Sequence, residues 1–171
     1  MTLKLKPLSS DYCLPKYATD GSGCLDLFIN KSYSKADWTP IYTTTSITVD
    51  EECQTISQTI VAYSLIVPLG YAVETPDEWT FDIYSRSGHG RKYHCSLANS
   101  IGIVDSDYRG EVQVMLQSLM PFDIDASNGP IAIAQAALVH RPYVYISVVD
   151  ELSEPYQPHL GFGSTGGHCV Q

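Results

Sequence analysis

Apolar residues in this chain come in short runs, each cut off by Gly, Pro, Asn or Asp. No stretch keeps a 3.6-residue apolar period long enough for a sizeable helix. Twelve tyrosines and frequent Thr, Ile and Val favour a pleated backbone instead. The runs predict strands over Leu25–Ile29, Ser46–Val49, Thr59–Val67, Tyr71–Glu74, Thr80–Tyr84, Glu111–Gln117, Ala132–Arg141 and Tyr143–Val148. One short helix is expected after Ser87-Gly88, over roughly 90–98. The fold class is all-β, a barrel or sandwich of short strands. At 171 residues, 44% of them hydrophobic, the chain has the size and composition of one domain with a real core.

Two segments differ from the rest. Asn30 to Ser57 is polar and rich in Thr and Ser, and reads as an insertion or a long hairpin. From Asp150 onward Gly, Pro and acids dominate, so residues 151–171 are expected to form a mobile arm beside a body of residues 1–150. The formal net charge of −9 argues against a nucleic-acid-binding module, which needs a basic face. A nucleotide can still bind where local donors or a metal overcome the repulsion. The most apolar stretch, Ile60 to Val73, contains Pro68 and Gly70 and is too short to span a bilayer. No apolar run follows Lys4 and Lys6, so no signal peptide is expected. Five scattered cysteines with no CxxC pair fit a reducing, cytoplasmic setting, the host cytoplasm if the protein is viral.

Four constellations can carry chemistry. Gly161-Phe162-Gly163-Ser164-Thr165-Gly166 offers unobstructed N–H groups to phosphate oxygens, with a ring able to stack on a planar ligand; the bland reading is a flexible terminus. Arg86-Ser87-Gly88 ends a strand where a helix opens, suited to an anion or to nothing more than a capped turn. Asn99 to Glu111 reads as a loop whose two ends pair as a hairpin, with free backbone groups able to read a base edge. In it, Asp105 is placed to deprotonate a water, or is merely a turn-former with Asp107. Asp26, between two leucines, either faces solvent or is held by a cation, for which Arg86 is the candidate. The five histidines have no metal-ligand spacing.

Taken in order, these segments resemble the motifs of the trimeric dUTPase family. Leu14-Pro15 to Ser22 with Leu25-Asp26-Leu27 looks like the first motif, and Arg86-Ser87-Gly88 the second. Asn99-x-x-Gly102-Ile103-Val104-Asp105-Ser106-Asp107-Tyr108-Arg109-Gly110-Glu111 is close to the third and is the most specific. Ile133-Ala134-Gln135 matches the end of the fourth, and Gly161–Gly166 the end of the fifth. The likeness runs from about Leu14 to Gly166, leaving out Asn30–Ser57.

The resemblance implies a jelly-roll-like β-barrel, a homotrimer with active sites at subunit interfaces, and hydrolysis of dUTP to dUMP and pyrophosphate. It makes Asp105 the general base. Asn99 and the backbone around Gly102 read uracil, and Tyr108 packs under the deoxyribose and excludes a 2′-hydroxyl. Arg86, Ser87, Gly88 and Gln135 hold phosphates. Phe162 covers the uracil, while Gly163, Ser164 and Thr165 reach the γ-phosphate. Asp26 is a structural or outer-shell acid. Mg2+ is the implied cofactor, held by phosphate oxygens and water. Two alternatives remain at this point: a catalytically weak regulatory protein of the same fold, and a dCTP deaminase.

The sequence departs from the family pattern in places. Ile131 and Ala132 stand where the fourth motif usually has an acid and a base; Gln157 to Leu160 stand where the fifth usually opens with Arg and several glycines. Ser85 replaces a common Pro, and Cys24 a common Gly. With an arginine already absent from the arm, removal of residues 161–171 is expected to lower dUTP turnover only mildly. A loss as large as that from Asp105→Asn would contradict this.

Overall fold

In the computed structural model, residues 1–50 and 53–154 are described, with residues 44–57 described by backbone alone. The elements, in chain order, are β1 (Lys4–Pro7), β2 (Lys16–Tyr17), β3 (Leu25–Ile29), β4 (Thr39–Asp50), β5 (Cys53–Pro68), β6 (Tyr71–Glu74), β7 (Trp79–Tyr84), α1 (Ser87–Tyr93), β8 (Cys95–Leu97), β9 (Gly102–Val104), β10 (Gln113–Ser118) and β11 (Ile131–His140). They form a five-stranded sheet in the order β2-β3-β11-β7-β9, a four-stranded sheet β4-β5-β10-β8, and a two-stranded ribbon β1-β6. Every ladder is antiparallel. The architecture is all-β and of jelly-roll type; among the described residues no ladder closes the sheets into one continuous barrel.

Alternation explains which face each strand buries. In β10, Val114 and Leu116 are buried while Gln113 and Met115 are exposed, as a one-sided sheet requires. In β7, Phe81 and Ile83 join Leu27, Val67, Tyr71, Val112 and Ile133 in the single core between the sheets. Each such side chain contributes about 1.5–3 kcal/mol by leaving water. The opposite face of β7 carries Thr80, Asp82 and Tyr84. Asp82 is only 1% exposed, so its charge has to be matched. Thr80 Oγ1 donates to it at 2.6 Å, Arg141 Nη2 at 2.5 Å and the Tyr84 hydroxyl at 3.4 Å.

Several expectations need correction. The stretch Tyr143–Val148 is not a strand: residues 141–154 carry no ladder, and Tyr145, Ile146 and Val148 are fully open to solvent. Its β-forming composition is not enough: among the described residues it pairs with none of the sheet edges, and a strand needs a partner. The helix is α1, set about three residues earlier than expected. His94 ends it in the left-handed region (φ 49°), and Cys95-Ser96-Leu97 then alternates onto β10 as β8. The ends of the Asn99–Glu111 segment do not pair with each other. Gly102–Val104 joins β7, and Gln113–Ser118 joins β5 and β8. Asn30–Ser57 holds most of a long hairpin, β4 with the first part of β5, whose inner ends belong to the four-stranded sheet. Strands β1, β2, β8 and β9 are too short to leave an apolar pattern. The arm from 155 onward, with Phe162, Gly163, Ser164 and Thr165, lies outside the described residues.

The Asp82 network yields a stability prediction. Arg141→Ala leaves a buried carboxylate facing two hydroxyls alone. Because Arg141 is itself about half exposed, the cost falls at or below the low end for breaking a buried pair, about 2–3 kcal/mol. Urea denaturation of the variant against wild type measures it; a change under about 0.5 kcal/mol would show that the pair carries no such weight.

Candidate active site

The residues singled out in the sequence gather into two hollows. The first is built where β7 runs out. Beyond Tyr84, Ser85 Oγ accepts the Leu97 N–H at 2.8 Å, and the Ser85 carbonyl accepts from Gln135 Nε2 at 2.9 Å. These bonds fix the exit of the chain between α1, β8 and β11. Arg86 then reaches across β11: its Nε donates to Asp26 Oδ1 at 3.1 Å and its Nη1 to the Ala132 carbonyl at 2.9 Å. Asp26 is therefore a paired acid, mostly buried, and it aims the guanidinium. Hydrogen bonds of this charge-assisted kind contribute about 1.5–3 kcal/mol each when shielded. Nη2 of Arg86 has no partner among the described residues.

Ser87 and Gly88 follow as the first residues of α1. The helix's own bonds begin at the His89 N–H, so the amides of Ser87 and Gly88 precede them. A hollow of about 440 Å³ is lined by Ala18, Ser22, Gly23, Cys24, Asp26, Arg86, Ser87, Gly88 and Gln135. It offers a guanidinium, hydroxyls, amides and a carboxamide, a donor set suited to phosphate oxygens.

The second hollow, about 270 Å³, lies between the two sheets on the β9 side of β7, against Ile83. Ile83, Leu97, Val104 and Val114 supply apolar walls, while Asn99, Gly102, Asp105 and Tyr108 stand around it. It exists because β9 and β10 diverge into different sheets, and residues 105–112 bridge the gap. Gly102 packs closely on β7: a Cβ there would lie 3.3 Å from Ile83 Cβ, with Asn99 Nδ2 at an ordinary contact distance of 3.5 Å. Val104 is buried, the next residue is exposed, and the Asp105 carboxylate has no hydrogen-bond or ion-pair partner among the described residues. A free carboxylate at the mouth of an apolar slot can hold and deprotonate a water.

The two hollows share no residue. Val104 pairs with Phe81, so Asp105 continues past the Thr80 end of β7, while Arg86 lies beyond its Tyr84 end. Asp26 and Arg86 also sit on the β3 side of β7, and Asp105 on the β9 side. Within one chain, the carboxylate and the guanidinium belong to separate hollows.

Sequence reasoning missed three residues in or near these hollows that hold the structure around them. Arg109 and Glu111 belonged to a recognised motif, but nothing in their spacing showed what they hold. His89 is buried, with Nδ1 3.2 Å from the Ile133 carbonyl, and packs near the rings of Tyr93 and Phe122. It ties α1 to β11.

Burial holds the His89 imidazole below its ordinary pKa of 6.5, with the charges of Arg86 and Lys92 acting the same way and the Ile133 bond opposing. The unfolded chain therefore takes up a proton below about pH 6.5 that the native protein refuses, and stability falls as pH drops through that window. Tm is expected to decline between pH 7.5 and 5.5 more steeply for wild type than for His89→Gln. Parallel slopes in differential scanning calorimetry would refute the assignment.

Comparison with known proteins places this geometry. The sequence profile of the dUTPase family matches residues 28–166, from just after the first motif through the long hairpin and the other four motifs. The deoxyuridine 5'-triphosphate nucleotidohydrolase of Hydrogenobaculum sp. is 33% identical over 168 residues, 97% of this chain and 99% of the relative. The enzyme of the same name from Rickettsia conorii is 31% identical over 165 residues, 96% of each. Among solved structures, the Staphylococcus bacteriophage 80alpha dUTPase with dUPNHPP superposes with a TM-score of 0.69 at 19% identity, covering 96% of this chain and 98% of that one. That likeness shows the fold, whereas profile and sequence identity over nearly the whole length show descent: the chain belongs to the dUTPase family.

Proposed function

We propose that the protein hydrolyses dUTP to dUMP and pyrophosphate, at sites each shared between copies of the chain. The observation that carries this reading is the division just described. One hollow holds a free carboxylate beside an apolar slot, the other holds phosphate donors, and in a single chain they share no residue. A homotrimer, in which one copy's Asp105 faces another copy's Arg86, reunites them.

Each group then has one task. Asn99 and the backbone at Gly102, on the edge strand β9, hydrogen-bond the uracil edge. The Tyr108 ring lies under the deoxyribose. Arg86, Ser87, Gly88 and Gln135 of a neighbouring copy hold the phosphate oxygens. Asp26 keeps the Arg86 guanidinium in place. The Asp105 carboxylate takes a proton from water as its oxygen attacks the α-phosphorus. The bond from that phosphorus to the α–β bridging oxygen breaks, and pyrophosphate leaves with the electron pair. Catalysis by positioning and charge neutralisation suffices for this chemistry. The arm of residues 151–171 closes over the site, with Phe162 on the base and Gly163, Ser164 and Thr165 at the γ-phosphate.

Mg2+ carried by the triphosphate and water would supply the positive charge that a chain of net charge −9 lacks, beside the single guanidinium of Arg86 in the phosphate hollow. No helix among the described residues is long and apolar enough to cross a membrane. Cys13, Cys24 and Cys95 are free thiols, as suits a reducing, cytoplasmic setting.

The test is pyrophosphate release from dUTP, UTP, dCTP and dTTP. Only dUTP is expected to turn over well, and Asp105→Asn should lower kcat by about 100-fold or more. Chains carrying Asp105→Asn and chains carrying Arg86→Ala, co-assembled, should regain activity that neither has alone, because some mixed sites draw both intact residues. Intact dUTP, or ammonia released from dCTP, would overturn the assignment; no recovery on mixing would overturn the shared site.

A further inference from the structure

Tyr108 is an anomaly among residues assigned a precise steric task. Its side chain is about half exposed, so packing alone does not set the ring's position. Two features of the loop do. The ring folds over Gly110, where a Cβ would come within 2.6 Å of Tyr108 Cζ and 3.1 Å of Cε2, a space no side chain can share. The hydroxyl donates to the Glu111 carbonyl at 3.1 Å. The ring is therefore only as well placed as Glu111.

Glu111 is in turn fastened outside the loop. Its Oε1 accepts the Gly70 N–H at 3.0 Å, across 41 residues of sequence. Gly70 sits in the left-handed region (φ 75°) at the turn between β5 and β6. Its own carbonyl accepts the N–H groups of Leu8 and Ser9, at 2.8 and 3.2 Å. Next to it the Val112 N–H donates to the Tyr71 carbonyl at 2.9 Å, and the Leu69 N–H to the Val112 carbonyl at 3.0 Å. From inside the loop Arg109 adds a second fastening. Its Nη1 donates to the carbonyls of Ser106 and Tyr108, at 2.7 and 2.9 Å, and its Nε lies 3.9 Å from Glu74 Oε2.

We propose that Glu111 is a positioning residue for sugar discrimination. Its carboxylate is anchored on the Gly70 amide, its carbonyl holds the Tyr108 hydroxyl, and together they fix the height of the ring that refuses a 2′-hydroxyl. The proposal rests on the dUTP reading above. It assigns Glu111 no contact with substrate and no proton to carry. What matters is an acceptor oxygen at the end of its side chain, not the negative charge.

The experiment compares kcat/KM for dUTP and for UTP in wild type, Glu111→Gln, Glu111→Ala and Tyr108→Phe, with Tm measured for each. Glutamine keeps an oxygen for the Gly70 amide and should hold the dUTP-to-UTP ratio within about twofold of wild type. Glu111→Ala should lower that ratio by up to about tenfold, the upper end for one lost hydrogen bond. Tyr108→Phe keeps the ring but cuts its tether, and should lower the ratio in the same direction even if Glu111→Ala does not fold. A ratio unchanged in the alanine and phenylalanine variants would overturn the proposal, whatever happens to Tm. So would a glutamine variant as impaired as alanine, which would mean that the charge is needed. Wild type that leaves dUTP intact, or cleaves UTP equally well, would instead sink the reading of the site itself.

Discussion

The antiparallel ladders on the two edges of β7 govern this molecule. On one edge Gln135 to His140 pair with Tyr84 to Trp79; on the other Gly102 to Val104 pair with Ile83 to Phe81. Those registers admit little slippage, because a one-residue shift would turn Phe81 and Ile83 out of the core and expose the carboxylate of Asp82 to it. Once they are set, the placement of the chemistry follows. The strand's exit must deliver Arg86 beside Asp26, and the neighbouring strand must deliver Asp105 at the far end.

The polar side of β7 illustrates how such a strand is stabilised on both faces. The inward face depends on shape and apolar area. The outward face depends on a closed set of donors around one acid, drawn from Thr80, Tyr84 and Arg141. Arg141 also donates its backbone N–H to the Glu78 carbonyl, so the residue where the chain leaves the sheet is held at two points. The direction in which the following segment departs is thereby a property of the core sheet and not of the segment.

Much of this was legible in the residues. Leu25–Ile29 and Tyr71–Glu74 were found to the residue, because each is a brief β-forming run bounded by turn-formers. The Asp26–Arg86 pair was readable as the resolution of an acid between leucines. The site residues were legible only through motifs: no periodicity distinguishes Asp105 from Asp107. The errors have a common physical source. Whether Asn99–Glu111 closes as a hairpin depends on which other strands compete for its edges, and β7 takes Gly102–Val104. Whether Tyr143–Val148 becomes a strand depends on a partner, and among the described residues it has none. Local propensity is silent on both, since each is settled by pairing with a distant segment or by the lack of it.

Half a site at each end of one strand has a consequence for how such a protein behaves in a cell. On the proposed assembly, a solitary copy keeps its fold and both hollows yet performs no turnover. Output would then rise more steeply than protein abundance at low expression, because copies must first meet. Dilution by itself would silence the activity without unfolding, inhibitor or proteolysis.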